Sequence, residues 1–488
     1  MKPIHMESSA SARARGGRGP ARLASACVLL AALGGAGLAQ AQSASDDSSL
    51  TWHGITLYGI VDLGLQYDTH SAPFSDYFPA GSGSLIQKND YDSPTGITPS
   101  NLSQSRIGIS GNEPLIGDWA AVFKFETFFN PQTGDISDAL KSVALNNGKA
   151  LTSQEVGVDS SVAGQLFSGA AYIGFASPTY GSFTVGRNVT LLADGISKYD
   201  PMGAAQAFSL IGYSGTTAGG GDTEDRRLDQ SVKYSATYDW LHVGALYQFG
   251  SSEGAVNTGY QFQIGAAVAG LSIDGYYFKK YDAISISALS VDQVGELAGL
   301  CNPAVTVPAT PSKCYSVSNS LSATISDNET YSVMALYDLN PLAPLKLFGG
   351  YEHIAFNNPN NPLPAGTVTI GGYVLAFTSN DAYINQKTLE VYWAGLKYTI
   401  VPQVDLILAY YGYNQNSYAT GKNAGCSTTV SSGCSGTEGA ASIVIDYRLT
   451  KRFDVYAGSM WSGVTNGLAN GYYDRDNIAT TLGLRFKF

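Results

Sequence analysis

From Trp52 onward, apolar and polar side chains alternate along most of the chain with a period of two. In "GITLYGIVDLGLQY", Ile55, Leu57, Val61, Leu63, Leu65 and Tyr67 share one parity, while Thr56, Tyr58, Asp62 and Gln66 hold most of the other. "SVKYSATY" sets Val232, Tyr234, Ala236 and Tyr238 against Ser231, Lys233, Ser235 and Thr237. The chain ends "TTLGLRFKF", where Leu482, Leu484, Phe486 and Phe488 alternate with Gly483, Arg485 and Lys487. On a strand, successive side chains point to opposite faces, so each such segment has one apolar face and one polar face. Sixteen segments follow the pattern: 53–68, 102–112, 119–129, 167–176, 182–188, 227–239, 241–250, 258–269, 271–281, 328–339, 345–356, 386–399, 404–415, 438–449, 453–462 and 477–488.

The connections alternate in length as regularly as the side chains alternate in polarity. Short ones such as "EPLIGD", "PTYG", "NPLAP", "VPQ" and "TKR" are interleaved with long ones at 69–101, 130–166, 189–226, 282–327, 357–385 and 416–437. Short turns therefore gather at one end of the molecule and long loops at the other. A soluble sandwich would have to protect its edge strands, whereas closure into a barrel removes edges altogether. In a bilayer, where unsatisfied backbone groups are costly, closed barrels are the only β solution, and the bacterial form has an even strand number with short turns on one side. The fold class expected is all-β, a transmembrane antiparallel barrel of sixteen strands. Parity then orients the last segment, with Leu482 to Phe488 toward lipid and Arg485 and Lys487 toward a wet interior. An arginine on the lipid side at mid-depth would cost about 2–4 kcal/mol.

Composition agrees with many strands and turns: of 488 residues only 14% are charged, while Gly (56) and Tyr (31) are abundant. No stretch of the body approaches the roughly 20 apolar residues of a membrane helix. At the start, Arg13, Arg15, Arg18 and Arg22 precede the apolar run Leu23 to Leu38 and the small triplet Ala39-Gln40-Ala41, which reads as a secretory signal over 1–41 followed by one barrel domain over 42–488. Its removal takes away five cations and one anion and moves the net charge from −11 to −15, which argues against nucleic-acid partners. Four cysteines remain, and Cys301–Cys314 and Cys426–Cys434 are the local disulfide pairings favoured among three connectivities. The histidines are scattered, so no metal site is expected. No cofactor is expected either, and no nucleophile elbow, phosphate loop or zinc motif points to an enzyme.

Four stretches in order, "ITLYGIVDLGLQY", "SRIGISGNEPLIGDWAAVFKFE", "AYIGFASPTYGSFTVGRN" and the terminal Phe488, resemble the general diffusion porins of Gram-negative bacteria, especially the β-proteobacterial type. The resemblance covers nearly all of the chain after the leader. It implies a sixteen-stranded barrel in the outer membrane, in contact with lipid and lipopolysaccharide and assembled as a homotrimer. Small hydrophilic solutes and ions would diffuse passively through it. It also implies that the third long loop folds inward, and that the outer-membrane assembly machinery reads the terminal Phe488 as an assembly signal. A solute-specific channel for small acids or sugars on the same scaffold is the alternative. The chain departs from the family in its long loops 130–166, 282–327 and 357–385 and in lacking an acidic Pro-Glu-Phe-Gly-Gly motif.

A diffusion channel needs no bond-making group, only a wet constriction whose charges bias what passes. Parity places Arg106 inward, opposite Ile107 and Ile109, and does the same for Lys124 and Glu126, opposite Phe123 and Phe125. Arg227, Asp229 and Lys233 lie opposite Val232 and Tyr234, and Asp62 joins the inward set. By resemblance, Arg106 and Arg227 match the basic wall facing the inserted loop, with Lys124 and Lys233 beside them. Near 189–226 the loop offers Asp194, Asp200, Asp222, Glu224 and Asp225, of which Asp194 and Asp200 are the acids expected to face the wall together with Asp62 and Glu126. Arg187 shares a face with Phe183 and Val185, and is expected to anchor the loop at a strand end. Both signs of charge occur, so weak selectivity is expected, with its sign left open.

Overall fold

The computed structural model describes residues 50–71, 93–134, 136, 166–213, 226–250, 258–288, 321–364, 369–370, 373–418, 435–469 and 474–488. The expected leader, the four cysteines of the proposed pairings, and Asp222, Glu224 and Asp225 lie outside these residues. Sixteen strands form one sheet: β1 Ile55–Asp68, β2 in two pieces, Thr95–Pro99 and Arg106–Pro114, β3 Ala120–Phe128, β4 Ala171–Ser177, β5 Gly181–Val189, β6 Arg227–Tyr238, β7 Leu241–Gln248, β8 Gly259–Val268, β9 Leu271–Ala288, β10 Leu321–Asp338, β11 Leu345–Asn357, β12 Lys387–Val401, β13 Val404–Gln415, β14 Gly436–Arg448, β15 Phe453–Asn466 and β16 Asp476–Lys487. Each strand pairs antiparallel with the next, and β16 returns to β1 with Leu484 opposite Leu63 and Arg485 opposite Asp62. The ring of sixteen is closed, and two short strands add to the same sheet, Thr51–Trp52 against β1 and Phe377–Ser379 parallel to the start of β10.

Alternation sorts the side chains as a lipid-embedded wall requires. Ile173, Ile264 and Ile443 on the outer row are 65%, 65% and 48% exposed, while their strand neighbours Gly174, Gln261 and Val444 on the other row are buried. Among the described residues no helix is long and apolar enough to cross a membrane. Rings mark both ends of the outer wall. Trp119 and Tyr180 stack at 5.7 Å beside the short turns, and Tyr277 and Tyr331 meet at 5.1 Å toward the loop end. Side chains that are part apolar and part polar suit the two interfaces. The turn of "PTYG" depends on Gly181, whose φ of +85° and 2.5 Å clearance from the Ser235 carbonyl oxygen admit no Cβ.

Two strands depart from the simple pattern. β2 is interrupted at 100–105, where Ser100 takes a φ of 61° and the chain leaves the ladder before rejoining it at Arg106. β1 bridges the gap by pairing with both pieces. β9 and β10 run past their alternating cores to 288 and back to 321, with a register shift between Lys280 and Ala283.

Candidate functional site

After β5 the chain leaves the wall and forms helix α1, Leu191–Tyr199, and the short turn of helix α2, Leu210–Tyr213. Thr190 caps α1 by accepting the Ala193 N–H at 3.1 Å, and Asp200 closes it. The backbone N–H of Leu191 donates to Gln261 of β8 at 2.7 Å, and Lys198 pairs with Asp274 of β9 at 3.1 Å. Beyond the helix, Trp393 of β12 donates to the Tyr199 carbonyl at 3.0 Å, and Ser442 of β14 donates to the Phe208 carbonyl at 2.7 Å. The hydroxyls of Tyr411 and Tyr413 on β13 donate to Asp200 and to the Leu210 carbonyl. Phe208 meets Tyr456 of β15 edge-on at 6.2 Å. All of these strand partners sit on the row opposite the exposed apolar one.

Between these hydrogen bonds lies an apolar core. Leu191, Ile196, Phe208 and Ile211 pack against strand residues such as Met334, Trp393, Val444 and Met460, all nearly inaccessible. The inward-facing apolar side chains on β9–β15 therefore serve the 190–213 segment, while the outer rows of the same strands keep their own exposed apolar side chains. Removing that area from water is worth roughly 25 cal/mol per Å². Hydrophobic burial and hydrogen bonds thus fix the segment along one half of the ring.

The other half is polar. On β1–β3, Glu126 accepts from Tyr58 at 3.0 Å and lies 3.4 Å from Lys124 and 3.9 Å from Arg106. Burial divides the two signs: the Glu126 side chain is 4% exposed, against 34% for Arg106 and 30% for Lys124. Lys233 of β6 bonds the Val189 carbonyl at 2.9 Å and pairs with Asp194 of α1, joining helix to wall. Arg227 stacks over Phe128 at 4.5 Å. Its strand carries a register shift opposite Gly186 and Asn188, so simple parity does not apply at 227–230. Arg187 sits in the same irregularity, where it pairs with Asp229 and bonds the Ser168 carbonyl at 3.3 Å.

Two of the expected acids are deeply buried. Asp62 accepts the N–H groups of Leu102 and Ser103 at 2.9 and 2.7 Å and the Tyr456 hydroxyl, so its carboxylate holds the 100–105 excursion in place. Asp200 accepts the N–H groups of Met202 and Ala204 at 3.1 and 2.8 Å along with the Tyr411 hydroxyl. Burial pushes the Asp200 carboxyl above the ordinary carboxylate range, although the Tyr411 and Ser209 hydroxyls and these N–H groups pull the other way. Phe488 exchanges backbone hydrogen bonds with Gly59 at 2.9 and 3.0 Å and extends β16 to the last residue.

A second charged band lies on the inner row near the short turns. Asp405 receives Lys397 at 2.8 Å and Arg448, and Asp454 receives Arg485 at 2.6 Å and Lys487 at 2.8 Å. Here too the acids are at most 1% exposed, while Lys397, Arg448 and Lys487 are 31–39% exposed. Of this band, the sequence reading places Arg485 and Lys487 inward by their alternation and does not single out Lys397, Asp405, Arg448 or Asp454. A cavity of about 770 Å³ opens between α1 and the short turns of β2–β7, lined by Trp119, Ser182, Asp194, Lys198, Thr237 and His242.

Residues 24–466 match the model of the Gram-negative porin family. An outer membrane porin protein of Bordetella pertussis is 27% identical over 230 residues, 47% of this chain and 48% of that protein, so the match spans about half the relative's length. Among solved structures, the anion-selective porin from Comamonas acidovorans aligns with a TM-score of 0.55 at 15% identity, over 89% of this chain and 99% of its own. In-vitro folded OmpT of Vibrio cholerae in its trimer form aligns with a TM-score of 0.50 at 13% identity, over 89% and 99%.

Proposed function

Because the chain belongs to the Gram-negative porin family, we propose that it is a passive outer-membrane channel whose water path runs between the 190–213 segment and the polar wall of β1–β6. The observation that carries this reading is the division of the inner row at the level of the 190–213 segment: apolar and filled along β9–β15, polar and charged along β1–β6, with the second charged band lying nearer the short turns. Small hydrophilic solutes enter among the long loops, pass Arg106, Lys124, Glu126 and the Lys233–Asp194 pair, and leave past the short turns. Arg227 and Arg187 brace the start of the segment from the wall. In this reading Asp62 and Asp200 are structural carboxylates behind the lining.

Anions are favoured. The chain is net acidic, yet around Glu126, Asp405 and Asp454 the carboxylates are buried beneath cations whose tips remain exposed, and these clusters set the bias. At Lys233–Asp194 and Arg187–Asp229 the acid is the more exposed partner and weakens it, since a passing ion responds to charges within a Debye length of about 8–10 Å. Anion selectivity of the Comamonas acidovorans porin accords with this sign. Homotrimeric assembly is part of the same proposal, in keeping with the trimer form of the Vibrio cholerae protein, as is recognition of Phe488 by assembly machinery. Contact of the apolar outer rows with outer-membrane lipid, lipopolysaccharide included, belongs to the same proposal. Liposome swelling with uncharged sugars of graded size tests the channel. Rates that fall smoothly with solute size and rise linearly with concentration support it, and absence of swelling, or saturation at low concentration, overturns it.

A further inference from the structure

At the loop end of the closing seam, where β1 finishes and β16 begins, His70, Asp474 and Asp476 converge. His70 Nε2 lies 3.3 Å from Asp474 Oδ2, and Nδ1 lies 3.2 Å from Asp476 Oδ1. One donor atom from each residue falls within 4.8 Å of the other two. The surroundings are ordered: Asn477 Oδ1 accepts the N–H groups of Thr69 and His70, both at 3.1 Å, and Asn477 Nδ2 donates to buried Asp68 at 3.0 Å. The Arg475 N–H occupies Asp474 Oδ1 at 2.8 Å, which leaves Oδ2 turned toward the imidazole.

We propose that His70, Asp474 and Asp476 bind a divalent transition-metal ion of the zinc type, clipping the first strand of the barrel to the last. Two carboxylates against one imidazole leave the trio negative whether or not the ring is protonated. Tetrahedral zinc, with nitrogen and oxygen ligands at roughly 2.0–2.2 Å, holds its donors about 3.3–3.6 Å apart. The His70–Asp474 spacing of 3.3 Å matches that separation. A nitrogen donor distinguishes the site from calcium and magnesium sites, which are built from oxygen. Asp476, with its side chain 57% exposed, supplies the third ligand by rotating from the Nδ1 edge of the ring to the Nε2 edge. Water completes the shell. Because the ligands come from both sides of the seam, a bound ion opposes its opening.

The test uses the full chain in detergent, stripped with a chelator and titrated calorimetrically with zinc chloride, then heated with and without zinc. One zinc per chain is expected, together with a higher unfolding temperature, no competition from calcium, and zinc binding at least tenfold weaker in His70→Ala and Asp474→Asn. Asp474→Asn keeps the side-chain shape, and circular dichroism of both variants verifies the barrel. His353→Gln, a change on the outer wall, should bind as wild type does. Absence of saturable zinc binding, or binding unchanged in both seam variants when their barrels are intact, overturns the proposal.

Discussion

Replacing Arg106 and Lys124 together by glutamine removes the two exposed cations of the polar wall while keeping donors for Glu126. A monovalent ion passing about 5 Å from one such charge interacts by about 0.8 kcal/mol in a water-like medium. Screening over a Debye length of about 8–10 Å reduces this to about half a kilocalorie. Two cations acting together, offset by a Glu126 side chain that is 4% exposed and lies deeper, leave a net bias of roughly 0.7 kcal/mol toward anions at this level of the bore. In the double variant Glu126 alone remains and the bias reverses slightly, a swing of about 1 kcal/mol, or about fivefold for each ion. The assay is the reversal potential across a planar bilayer under a potassium chloride gradient. Wild type should show the anion-favouring sign, and the double variant a potential displaced strongly toward or past zero. Glu126→Gln should move it less, in the opposite direction. An unchanged potential in the double variant would refute the assignment of these residues to the path.

Phe208→Ala, which empties a fully buried ring position where the segment meets β15, should cost about 3–5 kcal/mol and lower the heat resistance of the barrel on gels; wild-type heat resistance would show that the segment is not held by this core. Ile443→Arg, on the outer row in the middle of β14, should destabilise folding into phospholipid vesicles by about 2–4 kcal/mol, and a denaturant titration that overlays wild type would contradict a lipid-facing position. Asp200 has a raised folded-state pKa, so its contribution to stability is full below the ordinary carboxylate range and is lost as pH rises through the raised value. The melting temperature should therefore carry a fall with rising pH in wild type that is missing in Asp200→Asn, and identical pH profiles would exclude this carboxyl as its source.

Strand number, closure and the sign of most faces were legible because a wall between lipid and water imposes a strict period of two on segments such as Ile55 to Tyr67. Parity failed where the inner row is not wet. On β12, Leu389, Val391 and Trp393 point inward to the 190–213 segment while Glu390 points outward, where it meets His353 at 2.7 Å near the loop end. Polarity along that strand is thus the reverse of a simple lumen rule. Asp62 reads as a lining acid because inward parity does not distinguish a carboxylate facing water from one capped by N–H groups, and Asp200 because its place in the 189–226 loop does not show that N–H groups and the Tyr411 hydroxyl enclose it. Arg187 and Arg227 lie at a register shift, which alternation cannot anticipate. His70 meets Asp474 and Asp476 only because the ring closes, and nothing local in either stretch signals the meeting.

The central claim, a wet path beside β1–β6 and an apolar half sealed by the 190–213 segment beside β9–β15, is tested most directly by thiol accessibility under single-channel recording. Ser110→Cys places a thiol on the inner row of β2 next to Lys124, and Ala440→Cys places one on β14 in the fully buried core under the segment. A charged, membrane-impermeant thiosulfonate should step down the conductance of the Ser110 variant and leave the Ala440 variant unchanged. Block of the Ala440 variant with no effect at Ser110 would contradict the account.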